Sequence, residues 1–284
     1  MQSPSKAPFE WLARLGYGAR GLVYCLVGGL AVLAAVGAGG QTGGSRSALA
    51  TLLDQPFGKA LLGMISLGLA GFAAWRTVEG VTDADHRGSS RSSLGVRAAH
   101  IGSGAIYAGL AIFALNLALG RSSGSGSEDR AARDWTAWLL SQPFGQWLVG
   151  AIGLGVIGAG VGFVLKGWRG QVTAYLTCDA ATSRWAVPLG RVGFAARGVV
   201  FVLVGGFLVL AALHSNSREV KGLGSALESL RQHPYGWLLL TVTAAGLFAF
   251  GLFGFVQARY RRIHPPDLEE ATRSVRAQVR STTT

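Results

Sequence analysis

Residues 14–36 read RLGYGARGLVYCLVGGLAVLAAV, and residues 191–213 read RVGFAARGVVFVLVGGFLVLAAL. The two stretches share their arginine, glycine and aliphatic positions in one register, so the chain contains an internal repeat. The first stretch alone has the basic flank, apolar run and small-residue end of a secretory signal peptide. Its recurrence at 191–213, where no signal peptide acts, predicts that the first stretch is retained as a helix.

A third copy of this helix is more degenerate. In each copy an arginine precedes an aromatic residue by ten positions: Arg14 and Tyr24, Arg97 and Tyr107, Arg191 and Phe201. The outer copies carry a second arginine, Arg20 and Arg197, whereas the middle copy has Ser103 at that position. The chain is therefore expected to contain three units of related structure.

Six apolar runs are long enough to consider as membrane spans. They cover residues 21–38, 60–75, 101–119, 147–165, 198–213 and 237–256. Charged residues make up only 14% of the chain, against about a quarter in soluble domains. A bilayer core needs roughly 17–25 helical residues; the shorter runs can extend if Arg20, Arg76 and Arg197 place their heads in water. We predict an all-α polytopic membrane protein with six transmembrane helices.

A Pro-aromatic-Gly segment precedes the second helix of each unit. The three segments are Pro56-Phe57-Gly58, Pro143-Phe144-Gly145 and Pro234-Tyr235-Gly236. We expect a short interfacial helix before each segment, with Ser47, Asp134 and Ser225 as its N-caps, and the aromatic at headgroup level. Each unit is then helix, outer turn, helix, and three units in one orientation predict a pseudo-threefold arrangement about the membrane normal.

The charge distribution predicts the topology. With the N-terminus inside, 18 of the 26 Lys and Arg residues fall in inside segments, as the positive-inside rule requires. Both termini are thus expected in the cytoplasm. The net charge of +12 needs no nucleic-acid partner, because attraction to the anionic lipid heads of the cytoplasmic leaflet explains it equally well. The expected partner is the bilayer, including anionic lipids; a protein partner is not specified.

The openings at 14–21 and 191–198, with the three Pro-aromatic-Gly turns, carry a family resemblance. The chain resembles the uncharacterised bacterial membrane proteins that contain three tandem two-helix domains, the domain of unknown function 1206. The resemblance implies the plasma, or inner, membrane of a bacterium and the fold, and it implies no chemistry. The expected divisions are repeats at 10–86, 94–169 and 188–263, and a charged cytoplasmic tail at 264–284.

The repeated arginines are the first candidate site. Arg14, Arg97 and Arg191, with Arg20 and Arg197, are expected to gather near the pseudo-threefold axis at the cytoplasmic end. They could bind an anionic lipid head or solute, although the positive-inside rule alone accounts for arginine there. A second repeated set, Glu79, Lys166 and Gln257, follows each unit's proline by 23 residues. It could gate a pathway or dock a partner, although such residues more often extend their polar ends to water.

Glycines crowd the fourth span, which favours close helix packing over a pore. The six apolar runs contain no Asp or Glu, whereas ion-coupled carriers commonly hold an intramembrane acid. Nucleotide loops, metal motifs and nucleophile elbows are absent, so we predict no catalytic, cofactor-binding or metal-binding residues and no enzyme. The favoured function is a non-enzymatic membrane scaffold or accessory protein; the alternative is a small solute or ion transporter or channel with a pathway between the repeats.

Overall fold

The computed structural model describes residues 7–82, 91–121, 128–170, 172, 176–177 and 179–261. Its α-helices are α1 (Ala7–Ala35), α2 (Ser45–Ala50), α3 (Gly58–Thr82), α4 (Arg91–Ala118), α5 (Glu128–Leu140), α6 (Gly145–Arg169), α7 (Ala180–Leu213), α8 (Leu223–Arg231) and α9 (Gly236–Tyr260). In this described part, six helices are long and apolar enough to cross a membrane: α1, α3, α4, α6, α7 and α9. The predicted all-α fold with six transmembrane helices is confirmed.

Exposed tryptophans mark the two ends of α6. Trp147 is 79% exposed and Trp168 is 82% exposed. The 21 residues between them span about 31 Å of helix, close to the thickness of the hydrocarbon core, ~30 Å. Tryptophan prefers the two membrane–water interfaces, so the exposed surface of α6 has the pattern of a helix that crosses a bilayer once.

The six spans form a ring. The second helix of each unit packs on the first helix of the next unit, so that α3 packs on α4, α6 on α7, and α9 returns to α1. Within the first and third units, α1 packs on α3 and α7 packs on α9. The predicted pseudo-threefold order is therefore present, with each unit bound mainly through its neighbour. The end of the ring with Arg14, Arg97 and Arg191 is called the arginine end, and the opposite end the turn end.

Glycines allow α1 and α9 to approach backbone to backbone. A Cβ added to Gly251 would lie 2.5 Å from the Cys25 nitrogen and 2.7 Å from the Gly21 oxygen. A Cβ added to Gly28 would lie 2.5 Å from the Phe248 nitrogen. Close helix approach of this kind is how small residues stabilise membrane bundles. It joins the first span to the last and closes the ring at that interface.

The ring is open at one seam. The helices of the middle unit, α4 and α6, form no packed interface like those of α1 with α3 and α7 with α9. In the first unit a Cβ on Gly68 would lie 2.6 Å from the Cβ of Ala19. The equivalent middle-unit residues are Gly102 and Gly155, and a Cβ on either would meet nothing within 4 Å. We call the space between these two glycines the α4/α6 cleft.

The three Pro-aromatic-Gly segments form the same tight turn at the turn end. The glycine N–H donates to the carbonyl three residues earlier, for example Gly145 to Gln142 at 2.9 Å. The aromatics take left-handed backbone angles, with φ of 62° at Phe57, 64° at Phe144 and 59° at Tyr235. Their side chains are exposed, as interfacial anchors would be. A Cβ on Gly145 would collide with the Leu139 carbonyl, which explains why glycine follows the aromatic.

The predicted N-caps of the short helices are wrong. α2 begins at Ser45 after Gly44, and α8 begins at Leu223 after Gly222. α5 already begins at Glu128, so Ser47, Asp134 and Ser225 all lie inside these helices. Glycine at the preceding position accepts the extended backbone of a cap without a side-chain hydrogen bond, and this shifts the starts of α2 and α8 toward the N-terminus.

The stretch between the expected second and third repeats, residues 170–187, is partly helical. α7 begins at Ala180, and Asp179 caps it by accepting a hydrogen bond from the Thr182 backbone N–H at 3.2 Å. Hydrogen bonds from Thr182, side chain and then backbone, lower the pKa of the Asp179 carboxyl. The repeat boundaries 10–86, 94–169 and 188–263 stay predictions, and the tail 264–284 lies outside the described residues.

Candidate functional site

The first repeated arginine caps a helix of the neighbouring unit. Arg97 donates to the carbonyl oxygens of Gly80 at 2.8 Å and Val81 at 2.7 Å, at the end of α3. Arg191 does the same with Gly167 and Trp168 of α6, and Arg14 with Ala258 and Arg259 of α9. Terminal helix carbonyls lack partners and carry partial negative charge. The recurring spacing of these arginines is explained by this contact.

Replacing Arg97 by Gln is expected to lower the free energy of unfolding by about 1–2 kcal/mol, because two charge-assisted hydrogen bonds to carbonyls are lost. The loss can be measured by SDS titration of the detergent-purified chain. Arg184→Gln is the control, because Arg184 is exposed and should change stability little. Equal effects of the two variants would contradict the capping role.

The second repeated arginine is buried inside the ring. Arg20 is 3% exposed and donates to the side-chain oxygen of Gln257 on α9 at 2.5 Å. Its guanidinium carbon lies 5.0–5.2 Å from the ring centroids of Tyr17, Phe72 and Phe250. Stacking on ring faces and the amide oxygen replace water around this cation.

Arg197 occupies the equivalent place in the third unit without such an acceptor. It is 8% exposed, and its guanidinium carbon lies 4.8–5.3 Å from four ring centroids, those of Tyr24, Phe163, Phe201 and Phe250. Its buried Nε has no hydrogen-bond partner. The position that corresponds to Gln257 is Lys166 on α6, which donates hydrogen bonds and accepts none. Arg197 is thus a buried cation held by aromatic faces alone.

The sequence predicts that Arg20, Arg76 and Arg197 place their guanidinium groups in water, and this prediction is wrong. Arg20 and Arg197 are buried among aromatic rings of their own and of neighbouring units, and Arg76 has a side chain only 18% exposed. Together Arg20, Arg197 and their rings form what we call the buried arginine layer, which fills the ring interior near the arginine end. Whether the five repeated arginines contact an anionic lipid or solute stays a prediction.

Glu79 is the centre of a buried ionic network. Its carboxylate is 2.9 Å from the guanidinium groups of Arg76 and Arg261, and it accepts a hydrogen bond from the Trp75 indole at 2.7 Å. The His100 ring lies 3.7 Å away. Glu79 is 4% exposed, so it does not extend to water. The network joins α3, α4 and the end of α9. The repeat position of Glu79 was predictable from the sequence, but its partners were not.

A second polar cluster lies at the turn end. Asp129 of α5 accepts hydrogen bonds from the Gly222 backbone at 2.6 Å and from the Ser225 hydroxyl. Glu228 of α8 accepts one from Thr42 at 2.7 Å. Thr42, Asp129, Ser225 and Glu228 line a cavity of about 300 Å³. The contacts connect α5, α8 and the loop before α2, and both Asp129 and Glu228 take part in them.

The glycines of α6 divide into two sets. Gly153, Gly160 and Gly167 pack against the α7 backbone, as with Gly160, whose added Cβ would lie 2.8 Å from the Gly198 oxygen. Gly155, Gly158 and Gly162 would meet nothing within 4 Å. Packing explains the first set only. Among the residues that the structure describes, no three His, Cys, Asp or Glu side chains are grouped to hold a metal ion.

The family model for Domain of Unknown Function (DUF1206) matches three times, at residues 15–83, 98–170 and 192–261. The chain belongs to this family. Each match begins just after a capping arginine and ends near the close of the second helix, so it covers one structural unit. The "Uncharacterized protein YxxB" of Bacillus subtilis strain 168 is 35% identical over 266 residues, 93% of this chain and 95% of that protein. No solved structure matches the chain.

Proposed function

We propose that the chain is a non-enzymatic scaffold or accessory protein of the bacterial plasma membrane. It acts through helix packing and through contacts with lipid or a protein partner. The observation that supports this proposal is the buried arginine layer. Arg20 and Arg197, stacked among rings from several spans, fill the interior where a pathway between the repeats would run.

The experiment is a leak assay in proteoliposomes. We expect liposomes with the wild-type chain to retain potassium as well as empty liposomes do. The double variant Arg20→Ala and Arg197→Ala should leak, because it removes both side chains that fill the layer. The control is Arg218→Ala, an exposed residue near the turn end, which should remain tight. Potassium or solute flux through the wild-type chain would contradict the scaffold.

A transporter or channel is the second candidate, and the α4/α6 cleft is the observation that favours it. The equivalent helix pairs are packed in the first and third units. These two units therefore show the closed form that the α4/α6 pair could adopt. Opening and closing of one seam could expose the interior alternately. Wild-type flux that stops when Cys residues placed at positions 102 and 155 are cross-linked would establish this candidate.

The arginine end is proposed to face the cytoplasm, because the sequence assigns 18 of the 26 Lys and Arg residues to the segments expected on that side, as the positive-inside rule requires. The turn end then faces the cell exterior. Membrane-impermeant maleimide applied to intact cells should label a cysteine introduced beside Pro56 and should not label one introduced beside Arg14. The reverse labelling pattern would overturn this orientation.

A further inference from the structure

We propose that the α4/α6 cleft binds the phosphate headgroup of an anionic phospholipid, with Arg197 as its main contact. The cleft is open toward the bilayer, because both of its walls are glycine faces without neighbours. On α4 these are Gly95, Gly102 and Gly109, and on α6 they are Gly155, Gly158 and Gly162; an added Cβ at any of them would meet nothing within 4 Å.

Arg197 is the group that requires a partner. A guanidinium has five N–H donors, and those of Arg197 make no hydrogen bond or ion pair within the described residues, while the side chain is more than nine-tenths buried. The equivalent Arg20 has the Gln257 oxygen at 2.5 Å. The Nε of Arg20 is also without a partner, but its guanidinium keeps this one acceptor, whereas Arg197 has none. Buried charges are normally paired or hydrogen-bonded, so Arg197 is the member of the layer that lacks an anion or acceptor.

The middle unit lacks the second arginine of the layer, and an aromatic ring of α6 covers Arg197 on the cleft side. Ser103 of α4 stands where the other units have arginine, so no third guanidinium fills the layer there. Phe163 of α6 stacks on Arg197 at 4.8 Å and is only partly buried, which makes it the wall between this arginine and the cleft. A ligand that enters between α4 and α6 would therefore meet Ser103 and the Phe163 ring first, with Arg197 directly behind that ring.

The electrostatics of the cleft select an anion. The helices around it, α4, α6 and α7, contain no Asp or Glu. They carry seven basic residues: Arg91, Arg97, Lys166, Arg169, Arg184, Arg191 and Arg197. Lys166 lies on the α6 side, with its ammonium 4.6 Å from the Phe194 ring. Planar guanidinium groups bind phosphate oxygens through paired hydrogen bonds.

The position of the site favours a lipid over a soluble anion. Arg197 lies six residues beyond Arg191 on α7, about 9 Å deeper than the helix ends at the arginine end. Trp168, 82% exposed at the end of α6, marks the interface above it. The walls of the cleft are glycine and aliphatic residues that suit acyl chains. The proposed function includes contact with lipid but specifies neither the lipid nor the place, so this site rests on that proposal and makes it specific.

The test is lipid retention by the full chain, measured by native mass spectrometry in detergent. We expect a single phosphatidylglycerol to be retained, at least about tenfold more strongly than phosphatidylcholine with the same acyl chains. Arg197→Met should remove this preference. Arg20→Met, which changes the equivalent arginine at a packed seam, should keep it.

A second variant separates loss of the site from loss of the fold. Gly155→Phe fills the cleft where an added side chain meets open space and should fold while retaining at least about tenfold less phosphatidylglycerol. Gly63→Phe, at an open glycine of α3, is its control. Equal retention of the two lipids, or unchanged retention in Gly155→Phe, would overturn the site. Displacement of the lipid by millimolar inorganic phosphate would assign it to a soluble anion instead. The potassium-leak result for the scaffold is independent of each outcome.

Discussion

Replacing Gly251 by Leu is expected to separate α1 from α9 and to lower the free energy of unfolding by at least about 3 kcal/mol. The new side chain would meet the Cys25 nitrogen at 2.5 Å and the Gly21 oxygen at 2.7 Å. These are backbone atoms of a packed helix, so no rotamer change relieves the collision. The first and last spans meet only through this interface, and its loss opens the ring. SDS titration of the detergent-purified chain measures the change.

Gly63→Leu is the matched control for Gly251→Leu. Both glycines lie within membrane-spanning helices, but a Cβ on Gly63 would meet nothing within 4 Å. Leucine is a better helix former than glycine by up to about 1 kcal/mol, so the control should be neutral or slightly stabilising. If Gly251→Leu were equally tolerated, the close approach of α1 and α9 would be wrong.

Replacing Glu79 by Gln is expected to lower the free energy of unfolding by about 3 kcal/mol. Removing one member of a buried ion pair leaves its partner charged and uncompensated, and here Arg76 and Arg261 both lose their carboxylate at 2.9 Å. Because Arg261 follows α9, the variant should also loosen the end of that helix. The same SDS titration, with hydrogen exchange at residues 256–261, measures both effects.

Glu10→Gln is the control for Glu79→Gln. Glu10 pairs with Arg14 at 2.6 Å, but its side chain is 39% exposed. Exposed pairs contribute at most about 1 kcal/mol, so this variant should be close to wild type. A Glu79→Gln variant no less stable than Glu10→Gln would show that the network around Glu79 is not a stabilising element.

The local features of the fold were predictable from the sequence. Apolar runs of sufficient length give the six spans, and the repeated Pro-aromatic-Gly segments give the three turns. The helix starts were less predictable. Gly44 and Gly222 precede α2 and α8, whereas Ser47 and Ser225 were the expected caps. A glycine cap has no side chain that could accept a hydrogen bond, so the sequence does not mark it as a helix start.

The buried arginine layer could not be predicted, because its contacts join different helices, some of them of different units. Arg20 is covered by Phe72 of α3 and Phe250 of α9, and no spacing within one helix indicates this. The α4/α6 cleft was equally hidden. Gly102 and Gly155 belong to helices whose glycine content indicates close packing, and only the arrangement of the whole ring shows that these two face open space.

Cysteine cross-linking of three equivalent pairs tests the ring most directly. In a background without Cys25 and Cys178, the pairs at positions 19 and 68, 102 and 155, and 196 and 246 each join the two helices of one unit. A disulfide forms with Cβ atoms about 3.5–4.5 Å apart. An added Cβ at Gly68 or Gly246 lies closer than this to the Cβ of Ala19 or Ala196, so these two pairs need only a small outward shift of the helices. The ring with a single open seam predicts rapid cross-linking of the first and third pairs and none of the middle pair. Equally fast cross-linking of the pair at 102 and 155 would contradict the open α4/α6 cleft.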